Sequence, residues 1–266
     1  MRYIKKQDNE PDCLTEFKKT LLQWKKTDDP LWEFSKLNWD DDFKNPHKAQ
    51  LIDVLRREQG YICCYCGRRI SKDNSHIEHL KPKSKKRKPS YAHLVVTYSN
   101  LLASCNGYTE EQESEYNEKL QQNRATPAPA QESCGAKKDD WYDEDFTVSP
   151  LIENCAEYFT YTGAGEIRSP RVDSTKKQTA EETMKTKAAE ETIKHLGLNN
   201  TNLQSSRKKV IQHILKLIRT KQFSSQQLEK LIKGYDKLSD QGEYVPFCAA
   251  ILYYLNQQYN VAKIKE

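Results

Sequence analysis

The sequence predicts an α-rich α+β fold, in which a small cysteine-rich module lies between N-terminal helices and a C-terminal helical region. Apolar residues recur at helical spacing near both ends of the chain, and a block of cysteines and histidines separates them at residues 61–84. In addition, only 36% of the residues are hydrophobic and 30% are charged. This composition is typical of a helix-rich protein with small hydrophobic cores and much solvated surface.

The N-terminal helical segment is predicted to cover residues 1–60. Within it, residues 12–26 have apolar side chains close to a helical repeat. A second helix is predicted within residues 45–60, where Gly60 provides the stop signal. We therefore expect two helices in this segment, the second of them directly before the cysteine block.

The distribution of apolar residues indicates neither a signal peptide nor a membrane span. The first residues have no apolar stretch of signal-peptide length, and no run approaches the roughly 18 apolar residues that span a bilayer. We therefore expect a cytoplasmic protein with no membrane partner. In a reducing compartment, its eight cysteines are expected to be metal ligands or buried thiols rather than disulfides.

The central module, residues 61–150, contains four cysteines that we predict to bind structural zinc. Cys63 and Cys66 form a C-x-x-C pair, whose tight turn points two thiolates at one tetrahedral ion. Cys105 and Cys134 each lie beside glycine or asparagine, which permit tight turns, and Cys134 lies in a polar stretch with no core to enter. The alternative is that the last two cysteines are ordinary buried residues.

Two further segments complete the domain prediction. Residues 107–133 are acidic and polar and contain "ATPAPA", so we expect a disordered, exposed insertion within the module. Residues 151–266 are predicted to form a hairpin followed by helices. The final helix is a candidate partner-docking surface because it has more apolar and aromatic residues than one buried face uses. These residues are Phe247, Ile251, Leu252, Tyr253, Tyr254, Leu255 and Tyr259.

The stretch "HIEH" has the residue types for metal-assisted hydrolysis. Polar and apolar residues alternate here as on a strand, so His76 and Glu78 share a face, and His79 follows directly. A carboxylate can hold a hard divalent cation on a phosphate, while a neutral imidazole takes a proton from the attacking water. The alternative is an exposed polar turn without a catalytic role.

A basic cluster follows this stretch. Positive charge of this density suits a polyanion, and we expect it to position a nucleic-acid backbone without reading bases. The alternative is a solvated lysine-rich loop. The basic cluster consists of Lys81, Lys83, Lys85, Lys86, Arg87 and Lys88.

Taken together, "CCYCGRRI", "HIEHLKPKS", "YSNLLASCNG" and "SCGAKK" resemble an HNH, or ββα-metal, endonuclease. More closely, they resemble the PtuB family, the HNH effectors of Septu and retron anti-phage systems. The downstream segments "SPLIENCAEYFTYTGAGEI" and "ETIKHLGLNNTNLQSSRKKVI" are also similar to this family, so the resemblance covers about residues 48–220.

The resemblance implies a zinc-stapled ββα-metal finger embedded between the two helical regions, and a catalytic Mg²⁺ or similar divalent cation. It also implies a nucleic-acid substrate and a PtuA-like ABC-type ATPase as partner. In retron systems, the reverse transcriptase and its msDNA would be further partners.

Residue roles follow from the same resemblance. His79 matches the general base, Glu78 the first ligand of the catalytic cation, and Asn100 the asparagine that orients the loop bearing the base. The four cysteines match the zinc ligands of the finger.

The sequence departs from the usual pattern in one place. In the usual HNH pattern, the second cysteine pair is C-x-x-C followed directly by Asn or His, which supplies another ligand for the cation, whereas here 28 residues separate Cys105 from Cys134. Here Gly135 follows, and Asn106 is the nearest chemical substitute, with Asp139 and His76 as less favoured alternatives.

The sequence therefore predicts a metal-dependent HNH endonuclease that hydrolyses phosphodiester bonds and acts as a toxic anti-phage effector with an ATPase partner. Two alternatives remain: a non-catalytic zinc-finger module that binds nucleic acid, and a scaffold subunit of the ATPase assembly. The adjacent Glu78 and His79 favour the enzyme, because a pure binding module does not need a base beside a metal ligand.

Overall fold

The computed structural model describes residues 1–24, 34–86, 88–108, 133–170 and 179–265, together with isolated positions between 109 and 132. Arg87 of the basic cluster and most of the expected insertion at 107–133 lie outside the described residues.

The N-terminal residues that the structure describes include the α-helices α1 (Asp12–Trp24), α2 (Trp39–Asp42) and α3 (His47–Glu58). The two longer helices lie where the sequence predicts them. Directly after α3, the buried side chain of Gln59 donates to the main-chain oxygen of Ala103 over 2.8 Å and accepts from the Ala103 amide over 2.7 Å. This pair of hydrogen bonds attaches the N-terminal helices to the central module.

Among the described residues of the central module, the strands and the α-helix follow in the order strand, strand, helix. Strands β1 (Ser75–His79) and β2 (Leu101–Cys105) pair antiparallel, and Glu78 lies opposite Leu102. Helix α4 (Cys134–Lys138) packs against β2. An α-rich chain with small sheets agrees with the expected fold class.

The C-terminal part contains a short hairpin formed by β3 (Thr160–Tyr161) and β4 (Ile167–Arg168). In the described residues from 179 onward, the helices are α5 (Ala180–His195), α6 (Thr201–Lys221), α7 (Ser225–Tyr235) and α8 (Cys248–Lys265). The side chain of Thr179 caps α5 reciprocally with Glu182, which satisfies two amide donors of the first turn.

The main hydrophobic core draws residues from all three predicted segments, and a second cluster lies between α6, α7 and α8. In α8, Ile251 and Leu255 belong to the second cluster, while Tyr253 and Tyr254 pack on the main core. Much of the apolar surface that marked this helix as a docking candidate is therefore used internally. Its exposed apolar residues are Val261 and Ile264, at 44% and 85% exposure. Partner docking on α8 stays a prediction.

Among the described helices, none combines the length and the hydropathy that crossing a bilayer would require.

Candidate metal centre and active site

The four cysteines predicted to bind zinc converge in space. Their sulfur atoms all lie within 4.8 Å of one another, and the sulfurs of Cys66 and Cys105 are 3.9 Å apart. Zinc–sulfur bonds of about 2.3 Å at tetrahedral angles place sulfurs roughly 3.8 Å apart. The set therefore fits a structural zinc ion.

Two turns bring these sulfurs together. In the first, the Cys63 amide donates to the Arg68 oxygen over 2.9 Å, and the chain reverses through Gly67, which has a φ of +78° that favours glycine. In the second, Cys134 begins α4 with a positive φ of 59°, and its amide donates to the oxygen of Leu196 over 2.8 Å. The second turn is thus tied to the C-terminal part.

The ionisation of the thiols differs within the cluster. Burial opposes the charged form of Cys63, but hydrogen bonds from the neighbouring thiols outweigh it and hold the pKa of Cys63 well below its usual value. Burial and hydrogen bonds with the other three thiols of the cluster raise the pKa of Cys134 well above its usual value. A divalent cation, which binds thiolates, would stabilise the charged form of all four.

Glu78 and His79 lie at the end of β1, and both are only 6% exposed. Both nevertheless line an open cleft of about 450 Å³, together with His76, Asn106 and residues of α4. The carboxylate and the imidazole are therefore held rigidly at the edge of a space large enough for a phosphate group.

The ring of His79 is fixed in position and kept neutral. Its Nε2 lies 2.9 Å from the main-chain oxygen of Val95, and its ring packs edge-on against Trp39 with centroids 4.5 Å apart. Burial lowers the pKa of His79 to about 4. Because Nε2 carries the proton donated to Val95, Nδ1 has the free lone pair that a general base needs.

Glu78 is an ionised carboxylate in spite of its burial. Burial favours its neutral form, but the ammonium of Lys138 at 2.9 Å and the ring of His76 outweigh this and lower the pKa of Glu78 to about 2. Tyr65 also donates to Oε1 over 3.1 Å. Lys138 and Tyr65 thus both contact Oε1, whereas Oε2 faces His76 Nε2 at 3.5 Å.

Asn100 joins the two ends of the segment between β1 and β2. Its side-chain oxygen accepts from the Lys81 amide over 2.8 Å, and its amide nitrogen donates to the oxygens of Lys81 at 3.0 Å and Leu94 at 3.3 Å. The segment that it closes includes Val95, the hydrogen-bond partner of His79. Asn100 therefore supports the orientation of the His79 ring through this segment.

The structure accounts for the departure at Gly135. A Cβ atom at this position would lie 2.3 Å from Glu78 Oε2 and 2.9 Å from His76 Nε2, so any side chain there would have to displace Glu78 and His76. Asn106, which sequence reasoning assigned to the cation, has its Oδ1 3.3 Å from His76 Nδ1. Asp139 lines the same cleft.

The basic cluster divides into paired and exposed lysines. Lys81 forms an ion pair with Glu144 at 2.9 Å, and Lys83 forms one with Asp40 at 2.9 Å. Lys83 also lines the cleft. The lysines farther along the loop, Lys85, Lys86 and Lys88, are exposed.

Sequence reasoning missed Lys138, which is buried against Glu78 while its neighbour Lys137 is exposed. A signal was available: Lys138 lies four residues after Cys134, and residues with this spacing share one face of a helix. It missed Tyr65 and Trp39 as well, and their local patterns carry no comparable signal.

No protein-family model matches the chain. Among curated proteins, the chain is similar to one from Vibrio cholerae serotype O1 biovar El Tor described as the retron Vc95 putative HNH endonuclease. The two are 30% identical over 194 residues, which cover 73% of this chain and 78% of the relative.

Proposed function

The chain belongs to the family of HNH endonucleases represented by this relative, and on that premise we propose that it is a metal-dependent HNH endonuclease that hydrolyses phosphodiester bonds of nucleic acid. The observation that carries the proposal is the adjacent pair at the end of β1. An ionised Glu78 and a neutral, rigidly held His79 line one open cleft beside the four-cysteine cluster.

In this proposal, His79 acts as the general base. Its Nδ1 takes a proton from the attacking water, while Val95 and Trp39 hold the ring in place. Asn100 acts indirectly, by closing the segment that contains Val95. A positioned base of this kind typically contributes about 10²–10⁴-fold to the rate.

Glu78 would bind the catalytic Mg²⁺ or similar cation through Oε2. When bound, such a cation stabilises the charge that develops on the phosphate and on the leaving oxygen. The donor set fits a hard divalent cation, because a buried, ionised carboxylate oxygen faces the cleft. The four cysteines would hold the structural zinc that joins β2 to α4.

The substrate is proposed to be a nucleic-acid backbone recognised mainly through charge. Lys85, Lys86 and Lys88 are exposed and available for phosphate contacts, whereas Lys81 and Lys83 are engaged with carboxylates. Binding of this type is weakly sequence-specific and falls steeply with salt.

We further propose that the enzyme is the toxic effector of an anti-phage system. The retron named in the relative's description supports this setting. An ABC-type ATPase of the PtuA kind, a reverse transcriptase and its msDNA are the partners that the setting suggests.

One observation favours a non-catalytic alternative, a zinc-finger module that binds nucleic acid or serves as a scaffold. The ammonium of Lys138 at 2.9 Å partly neutralises Glu78. The two functions differ in their need for a divalent cation and a base.

The test is incubation of the zinc-loaded protein with plasmid DNA and with RNA, with and without Mg²⁺ or Mn²⁺. We expect cation-dependent cleavage of at least one of them by the natural protein and none by His79→Ala. Binding of both nucleic acids without cleavage of either would establish the alternative. Equal cleavage by His79→Ala would remove His79 from the mechanism.

A further inference from the structure

We propose that His76 is the second protein ligand of the catalytic cation, beside Glu78 Oε2, and that Asn106 positions its ring. This inference rests on the proposed function and deepens it. It replaces Asn106 as the ligand expected from the sequence and assigns that residue a place one step farther from the cation.

The two carboxylate oxygens of Glu78 have different partners. Oε1 already accepts from Tyr65 over 3.1 Å and contacts the Lys138 ammonium at 2.9 Å. These two donors leave Oε2 as the oxygen that can bind a cation. His76 lies on that side, with its Nε2 3.5 Å from Oε2.

The hydrogen bonds of Asn106 determine the direction of the His76 ring. Asn106 donates from Nδ2 to the oxygen of Asp73 over 3.4 Å, so its Oδ1 is the acceptor at 3.3 Å from His76 Nδ1. The main-chain N–H of Asn106 also donates to the main-chain oxygen of Asn74 over 3.0 Å. This bond anchors Asn106 beside the start of β1. With the proton on Nδ1, Nε2 presents its lone pair towards Glu78. Metal-binding histidines are commonly oriented in this way.

The distance between His76 Nε2 and Glu78 Oε2 suits two ligands of one cation. Two ligands about 2.1 Å from one cation, at angles between octahedral and tetrahedral, lie roughly 3.0–3.4 Å apart. The observed 3.5 Å between Nε2 and Oε2 is close to this range. Two acceptor atoms at this distance repel each other unless a positive charge lies between them.

Gly135 leaves space open beside Glu78 Oε2 and His76 Nε2. A side chain at Gly135 would place its Cβ within 2.3 Å of Oε2 and 2.9 Å of Nε2. Glycine thus keeps free the volume that touches both atoms. The position from which the resemblance to HNH endonucleases would lead us to expect a ligand is a glycine here, and His76 offers a donor from the same strand as Glu78.

The competing explanation is a protonated His76 that forms an ion pair with Glu78. The two explanations predict opposite effects of removing the ring. As a ligand, His76 strengthens cation binding, and His76→Ala should weaken it by at least about tenfold, the scale on which even the outer partners of metal ligands act. As an ion-pair partner, His76 competes with the cation, and His76→Ala should leave the affinity unchanged or increase it.

The experiment measures Mn²⁺ binding to the full-length, zinc-loaded protein by calorimetry and by the electron paramagnetic resonance of free Mn²⁺. The variants are His76→Ala, Asn106→Ala and, as a matched control, His93→Ala, which removes an exposed histidine outside the cleft. We expect a large loss of affinity for the first variant, a smaller loss for the second and none for the third. Zinc content and circular dichroism report whether each variant folds.

The outcomes separate this inference from the proposed function. If the natural protein binds Mn²⁺ and cleaves, but His76→Ala binds equally well, the inference is wrong and the nuclease proposal stands. If the natural protein neither binds Mn²⁺ nor cleaves, the proposed function fails as well. His79→Ala should bind Mn²⁺ normally and not cleave, because His79 is proposed as the base and not as a ligand.

Discussion

The Nε2 atom of His79 donates its proton to the main-chain oxygen of Val95 over 2.9 Å, which determines the nitrogen that can act as a base. Asn100 holds the segment containing Val95 through the main-chain oxygen of Leu94, at 3.3 Å. The tautomer of the catalytic candidate is thus set by main-chain atoms and not by another ionisable group. Substitution of His79 should accordingly remove the base and leave the remaining site assembled.

We predict that His79→Ala lowers the cleavage rate by about 10²–10⁴-fold, the usual contribution of a positioned general base. Zinc content should not change, because the four cysteines do not depend on the ring. The measurement is the initial rate of plasmid or RNA cleavage with Mg²⁺. The matched control is His213→Ala, which removes an exposed histidine of α6 and should retain full activity. A rate within twofold of the natural protein would exclude His79 as the base.

The four-cysteine cluster leads to a prediction about metal content. Cys134→Ser should reduce zinc from about one ion per chain to a small fraction, because a structural site needs four ligands. The thermal midpoint should fall as well, since zinc binding contributes to folding. Elemental analysis and thermal denaturation provide the two measurements. Cys64→Ala is the control, because Cys64 lies between two ligands in the sequence but outside the cluster. Unchanged zinc in Cys134→Ser would contradict the assignment.

The features that the sequence predicted are those with local signals. The C-x-x-C spacing marks one half of the cysteine cluster, and the alternation around Glu78 marks β1. The neighbours of Glu78 are different, since Lys138 reaches it from a separate helix and Tyr65 from the first cysteine turn. Such contacts depend on how distant segments pack: the spacing of Lys138 from Cys134 indicates a shared helix face but not that Glu78 lies against it, and the segment around Tyr65 carries no such signal.

The same distinction explains the C-terminal helix. Apolar residues around the whole circumference of α8 suggested a free docking face. The helix instead lies between two sets of neighbours, with Leu255 in one cluster and Tyr253 against the main core. A helix that is apolar all round is typically buried. Whether α8 is buried or free to dock depends on where α6, α7 and the hairpin lie. The sequence of α8 alone does not specify those positions.

The buried pair of Lys138 and Glu78 leads to a prediction about stability. Lys138→Met should lower the free energy of unfolding by about 3–5 kcal/mol, because it leaves a buried carboxylate without its partner. Lys137→Met is the matched control, since the adjacent lysine is exposed and its loss should change stability by less than about 0.5 kcal/mol. Denaturant unfolding of both variants, each loaded with zinc, gives the comparison. Equal stability of the two variants would show that the pair contributes little.

The exposed lysines lead to a prediction about salt dependence. For the double variant Lys85→Gln/Lys86→Gln, the slope of log affinity against log salt should decrease by about 0.9 for each duplex phosphate that is no longer neutralised. Lys216→Gln/Arg219→Gln removes two exposed charges from α6 and is the control. Fluorescence anisotropy with a labelled duplex at several salt concentrations measures the slope. An identical decrease in both variants would indicate attraction by net charge rather than contact through the basic cluster.

Partner docking on α8 is best tested by point substitution. Truncation after about residue 240 would remove Ile251 and Leu255 from a buried cluster, so the shortened chain would lose stability whether or not it docks. Val261→Ser/Ile264→Ser changes only the exposed apolar residues and should leave the thermal midpoint nearly unchanged. If this surface binds the proposed ATPase, the double variant should recover less of that partner in copurification than the natural protein does. The control is Asn256→Ser/Asn260→Ser, which alters exposed polar positions of the same helix. Equal recovery of the partner by the natural protein and both variants would place docking elsewhere, because an apolar interface without its side chains has no burial to stabilise it.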